Sequence, residues 1–112
     1  MDIQGLNPVL PVDDLDAAVA VWSALLGVKP TFVDGDRWAQ FDVAGRRLAL
    51  AGTDRVSTAA GVMIKVDDLT AARATAAGQG LAVGEPETGA HEVRCVVMTP
   101  GGWPAIFYQP KA

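Results

Sequence analysis

Val12-Asp13-Asp14-Leu15-Asp16-Ala17-Ala18 recurs as Val66-Asp67-Asp68-Leu69-Thr70-Ala71-Ala72, with six of the seven positions identical. A short apolar stretch precedes each copy, Pro8 to Val12 and Val62 to Val66. An alanine-rich stretch follows each and ends in glycine, at Gly27 and at Gly78. Two copies of one supersecondary unit therefore account for the chain. The Asp pair reads as a helix start, because a carboxylate accepts the backbone N–H groups that a first turn leaves unpaired and favours the positive end of the helix dipole. Asp13 and Asp67 are assigned that structural role. In copy one, Leu15, Ala18, Val19, Trp22, Leu25 and Leu26 fall at helical spacing, with Gly27 as the stop and Pro30 beyond it. In copy two, Leu69, Ala72, Arg73, Ala76 and Ala77 play the same part before Gly78 and Gly80, which predicts a thinner helix.

After each helix come short runs separated by turn residues. Copy one predicts strands over Thr31–Val33, Arg37–Val43 and Arg47–Ala51, with Asp34-Gly35-Asp36 and Ala44-Gly45-Arg46 as turns. Copy two predicts strands over Leu81–Val83, Val93–Met98 and Ala105–Tyr108, with Pro100-Gly101-Gly102 as a turn. Each copy is thus strand, helix, strand, strand, strand, and Thr53 to Gly61 connects the two. Side chains alternate along a strand, so one parity must pack on the helices. The uniformly apolar parity is Pro8, Leu10, Val12; Ala39, Phe41, Val43; Leu48, Leu50; Val62, Ile64, Val66; Val93, Cys95, Val97; Ala105, Phe107. The other parity mixes aromatic, Met, amide and charged groups, among them Trp38, Gln40, Asp42, Met63, Lys65, Arg94 and Tyr108. Apolar atoms with a few polar ones are what a small-molecule site is made of. The same residues also suit a second small core of Trp38, Met63, Met98 and Ile106, with Arg94 and Asp42 paired at its edge.

The 112 residues and 50% hydrophobic content have room for a single domain over 1–112, with internal modules at about 5–52 and 60–110. Nine basic against thirteen acidic residues give a formal charge of −4, so no overall field favours nucleic acid or anionic lipid. The lone Cys95 forms no intrachain disulfide and has no zinc-type Cys/His cluster around it. No apolar run approaches the roughly 20 residues that span a bilayer, and Met1-Asp2-Ile3-Gln4 does not open a signal peptide, so a cytoplasmic protein is expected. No phosphate-cradling glycine loop is present.

The duplicated unit, the paired Val-Asp-Asp-Leu strings, Ala24-Leu25-Leu26-Gly27 and the Thr99-Pro100-Gly101-Gly102-Trp103-Pro104 turn resemble the vicinal oxygen chelate superfamily. That group includes glyoxalase I, extradiol dioxygenases and the bleomycin-resistance type of binding protein. The resemblance covers about Leu6 to Pro110. It implies an α+β fold of two βαβββ modules whose curved mixed sheets surround a cavity, with helices on the outer faces, commonly in a homodimer. It also points to four positions where metal-dependent members place His or Glu ligands: Asn7, Ala49, Gly61 and Ile106 here. None of these is a competent donor for a divalent ion, and the neighbours Leu48, Leu50, Ala105 and Phe107 are equally inert. No metal and no cofactor are expected.

The resemblance and the residues together suggest a metal-independent protein that sequesters or carries an antibiotic-like or other aromatic ligand, plausibly cationic. The residues expected to line its site are Asn7, Val9, Trp38, Gln40, Asp42, Arg47, Met63, Arg94, Met98, Trp103, Ile106 and Tyr108. Trp38 or Trp103 would stack on the ligand, Asp42 would hold a cationic group, and Arg47 or Arg94 an acidic one. Trp103 equally suits a hydrophobic lid on the sheet edge. The alternative is a metal-independent isomerase, cyclase or lyase using Asp42, Tyr108 and Arg94, in which burial of Asp42 beside apolar groups would raise its pKa into a useful range. A third reading is a dimeric structural or regulatory module whose cavity is filled. His91, the one histidine, lies in a turn remote in sequence from the four ligand positions.

Overall fold

Leu15 and Leu69 are buried at the first position of their helices, so the residue before each, Asp14 or Asp68, becomes the cap. In the computed structural model, which describes residues 1–112, α1 runs Leu15–Leu26 and α2 runs Leu69–Gly78. The Asp14 carboxylate accepts the Ala17 N–H and the Asp68 carboxylate the Ala71 N–H, each at 3.0 Å. The capping role expected for Asp13 and Asp67 therefore belongs one residue later. Asp13 instead accepts from Arg55 Nη1 at 3.3 Å, and Asp67 Oδ1 accepts the Asp2 N–H at 2.7 Å. Gly27 ends α1 in the left-handed region at φ 70°, where a side chain would be strained. Leu25 departs from its expected place on the packed face and is 69% exposed. The helix carries apolar residues all round, and only the stripe containing Leu15, Ala18, Val19, Trp22 and Leu26 meets the sheet.

The eight strands are β1 (Ile3–Pro11), β2 (Phe32–Asp34), β3 (Trp38–Val43), β4 (Arg46–Ala51), β5 (Gly61–Val66), β6 (Glu87–Thr88), β7 (Glu92–Met98) and β8 (Pro104–Pro110). With the two helices they make an α+β chain that forms two compact units, Asn7–Ala60 and Met1–Leu6 with Gly61–Ala112. The strand β1 gives its second half to the one and its first half to the other.

In the Asn7–Ala60 unit the strand order is β2-β3-β4-β1, antiparallel except for the parallel β4/β1 pair. Ala44 and Gly45 turn β3 into β4 with φ 51° and 75°, as a two-residue hairpin of primed type requires. Arg46 consequently begins β4 instead of completing the turn. The core packs Leu15 against Ala39, Phe41 and Leu50, flanked by Leu10, Val12, Val43 and Leu48. The apolar parity thus faces the helix except at Pro8, which is exposed, as is Val62 of the other unit.

In the other unit the order is β1-β5-β8-β7-β6, with β5/β8 parallel and β8/β7/β6 antiparallel. Its core joins Val66, Leu69, Ala72, Ala76, Cys95, Val97 and Ala105. Gln109 Oε1 accepts the Leu69 N–H at 2.8 Å, tying the start of α2 to β8. The strand expected at Leu81–Val83 is absent: Val83 makes one isolated bridge to Val97, and the edge strand forms later, at Glu87–Thr88. Gly84 presses on the Val96 backbone, and Pro86, which lacks an N–H, separates that bridge from the ladder. No helix is long and apolar enough to cross a membrane.

Candidate functional site

Each unit has one sheet face that carries no helix, and the expected site residues divide between these faces. In the Asn7–Ala60 unit, cross-strand register places Asp34, Trp38 and Ala51 in one row, and Phe32, Gln40, Ala49 and Val9 in the next. Asp42 and Arg47 form a third pair. Trp38 is half-buried, and its Nε1–H donates to Gln40 Oε1 at 3.3 Å. Val9 and Ala49 are buried, as is Asn7, whose Nδ2 donates to the Pro8 carbonyl at 3.0 Å.

Asp42 does not pair with Arg94. It accepts from Arg47 Nε at 2.9 Å and from the Thr31 hydroxyl at 2.7 Å, with its side chain 36% exposed. The Arg47 hydrogen bond first, then that of Thr31, holds its carboxyl below the ordinary carboxylate range, against a smaller opposing effect of burial. Asp42 lacks the raised pKa that an acid/base role would use, because hairpin neighbours satisfy its charge. A carboxylate with a lowered folded pKa stabilises the fold above its unfolded pKa, and that stabilisation disappears as pH falls through the folded value. Asp42→Asn is therefore expected to lower stability at pH 6, with a deficit that shrinks as pH falls through the folded pKa. Urea unfolding of both proteins at pH 6 and near pH 2 checks this, and an equal deficit at both would refute it.

In the other unit, Lys65, Tyr108, Arg94 and Glu87 form one row, and Met63, Ile106 and Val96 the next. Met98 lies opposite Pro104. Arg94 donates to Glu92 Oε1 at 3.1 Å, both side chains being mostly buried. Trp103 is 63% exposed in the turn before β8, and its indole folds over Gly101, so it stands outside the rows. His91 is exposed, and its carbonyl accepts the Lys111 N–H at 3.0 Å. Cys95 is buried on the helix side, where burial pushes its thiol up against the opposing influence of Arg73. Such a thiol is a packing group and a poor nucleophile.

Two face residues lay outside the expected set. Phe32 sits beside Gln40 because β2 starts one residue later than the turn residues suggested. Thr31 reaches Asp42 only because the β2/β3 hairpin closes, which no spacing in the sequence announces.

No protein-family model and no curated protein sequence matches the chain. Solved structures do match. One described as an NAD-dependent benzaldehyde dehydrogenase from Legionella pneumophila superposes with a TM-score of 0.84 at 13% identity, over 95% of this chain and 99% of that one. A glyoxalase/bleomycin resistance protein/dioxygenase superfamily member from Vibrio splendidus 12B01 gives 0.70 at 16% identity, over 96% and 99%. A methylmalonyl-CoA epimerase from Mycobacterium tuberculosis gives 0.67 at 18% identity, over 98% and 90%. The chain has the vicinal oxygen chelate fold. Identities this low establish the architecture and leave activity open.

The four positions that the resemblance marks for metal ligands, Asn7, Ala49, Gly61 and Ile106, do not fit a divalent ion. Ala49 and Ile106 are buried without a donor atom, and the Asn7 amide is tied to Pro8. At Gly61 an added Cβ would lie 2.5 Å from the Pro104 carbonyl oxygen and 2.9 Å from its Cγ, so no side chain of any kind has room. No group of three or more His, Cys, Asp or Glu side chains converges anywhere in the structure.

Proposed function

We propose that the protein is a metal-independent binder of a small molecule, of the glyoxalase/bleomycin-resistance type, which sequesters or carries an aromatic, antibiotic-like ligand. The observation that carries this reading is the chemistry at the four ligand positions: two buried side chains without donors, one amide already bonded, and one glycine closed by Pro104. The helix-free face of the Asn7–Ala60 unit offers Trp38, with Asn7, Val9, Gln40 and Arg47, and that of the other unit offers Met63, Met98 and Ile106, with Arg94 and Tyr108. Trp38 is taken as the aromatic platform, a half-buried ring whose Nε1–H is held at its edge by Gln40 Oε1. We propose a cytoplasmic homodimer, to which the exposed Val21 and Leu25 of α1 and Phe32 and Val33 of β2 contribute covered surface. The enzyme alternative with Asp42, Tyr108 and Arg94 has less support, because Arg47 and Thr31 hold Asp42 as the carboxylate.

Metal analysis of protein purified without chelator, followed by titration with nickel, zinc, manganese and iron(II), is expected to find no stoichiometric ion and no saturable binding. Tight stoichiometric metal would overturn the reading. A tryptophan-fluorescence screen of flat heteroaromatic compounds is expected to yield a ligand whose affinity falls about threefold to tenfold in Trp38→Ala, the worth of one ring stack. Unchanged affinity removes Trp38 from the site.

A further inference from the structure

Three cations lie on the helix-free faces, and one of them has no carboxylate partner. Arg47 is bound by Asp42 and Arg94 by Glu92, whereas Lys65 makes no ion pair. Lys65 is half-buried on β5, a strand with neighbours on both sides. On one side its stem lies over Gly5, where an added Cβ would come 3.3 Å from Lys65 Cβ and 3.9 Å from its Cδ. Glycine at that position leaves the room which the lysine stem occupies. On the other side Tyr108 stands in direct register, followed by Arg94.

The acidic groups nearby are otherwise engaged or peripheral. Glu92 is bonded to Arg94, Asp67 accepts the Asp2 N–H, and Glu87 is exposed on the outermost strand. A half-buried ammonium with no counter-charge favours an anion, the more so in water-poor surroundings. Neighbouring strands lie about 4.8 Å apart, so Lys65 and Tyr108, partners across the parallel β5/β8 pair, stand close enough to approach one carboxylate. One row along, Met63, Ile106 and Val96 give an apolar strip parallel to this polar one.

We propose that Lys65, with Tyr108 beside it, holds the carboxylate of a ligand whose apolar body lies against Met63 and Val96, the half-buried residues on either side of the buried Ile106. This deepens the small-molecule-binding reading, rests on it, and turns the expected preference from a cationic ligand to an anionic one. The test pairs naphthalene-2-carboxylate with the isosteric naphthalene-2-carboxamide in isothermal titration calorimetry, against wild-type, Lys65→Gln and Lys65→Arg proteins of verified circular dichroism. Wild type is expected to bind the carboxylate about tenfold more tightly than the amide, as one charge-assisted hydrogen bond implies. Lys65→Gln is expected to abolish that preference while leaving amide binding unchanged, and Lys65→Arg to restore most of it. Equal binding of the two compounds by wild type, or a preference that survives Lys65→Gln, overturns the carboxylate assignment and leaves the binding reading standing. Binding of neither compound by folded protein at millimolar concentration overturns both.

Discussion

Gly61→Ala is expected to destabilise the protein by about 3 kcal/mol, at the upper end of what overpacking costs. The new Cβ would meet the Pro104 carbonyl oxygen at 2.5 Å, and that oxygen is backbone on a buried residue of β8. Relief requires β5 and β8 to part where their parallel ladder begins, which would disturb the Val62 and Ala105 register and the α2 core behind it. Gly78→Ala supplies the control, because its Cβ meets nothing within 4 Å at the end of α2. That variant is expected to match or slightly exceed wild type, since alanine is the better helix former. Thermal and urea unfolding of the two variants should therefore diverge. If Gly61→Ala melts with wild type, the strands separate easily, and the argument that this position is closed to a metal-ligating side chain fails with it.

Phe41→Ala is expected to cost about 3 to 5 kcal/mol, the range for emptying a fully enclosed aromatic site. Phe41 has no exposed surface, lies on β3, and packs with Leu15, Ala39 and Leu50 where α1 crosses the sheet. Its strand neighbours cannot close the gap without moving the hairpin whose tight Ala44-Gly45 turn sets its register. A native stability in the ordinary range for a small domain would be largely consumed, so the variant should be substantially unfolded at 37 °C. Trp38→Ala, three residues earlier on the opposite face, removes a half-buried ring and should lower stability far less. Circular dichroism melts of both would rank them, and equal losses would mean that the two faces of β3 are equally load-sharing, contrary to the packing described.

The contrast between Phe41 and Trp38 shows what strand alternation can tell. Period-2 order is a property of adjacent residues, so the sequence by itself determined which parity packs on each helix. It also determined the duplication, the approximate helix spans and the Gly27 stop of α1, because such turns act within a few residues of the chain, whereas α2 runs through Gly78 and is capped by Gln79. The donor-poor character of Asn7, Ala49, Gly61 and Ile106 was legible in the same way, as residue types at positions given by the family resemblance.

The tertiary structure decided everything that joins distant residues. Asp14 caps α1, and the spare carboxylate of Asp13 went to Arg55, 42 residues on. Near Leu81–Val83 pairing with β7 is reduced to the Val83–Val97 bridge, which includes the Gly84 N–H bond to the Val96 carbonyl, and the edge strand forms beyond Pro86 at Glu87–Thr88. The charges on the helix-free faces were sorted by hairpin closure, which gave Asp42 to Arg47 and Thr31 and left Lys65 beside Tyr108. Closure of Gly61 by Pro104 depended on the parallel pairing of strands 43 residues apart. Local sequence fixes what one turn or one strand can bond to, whereas side chains brought together by strand pairing acquire their partners only when the sheet forms.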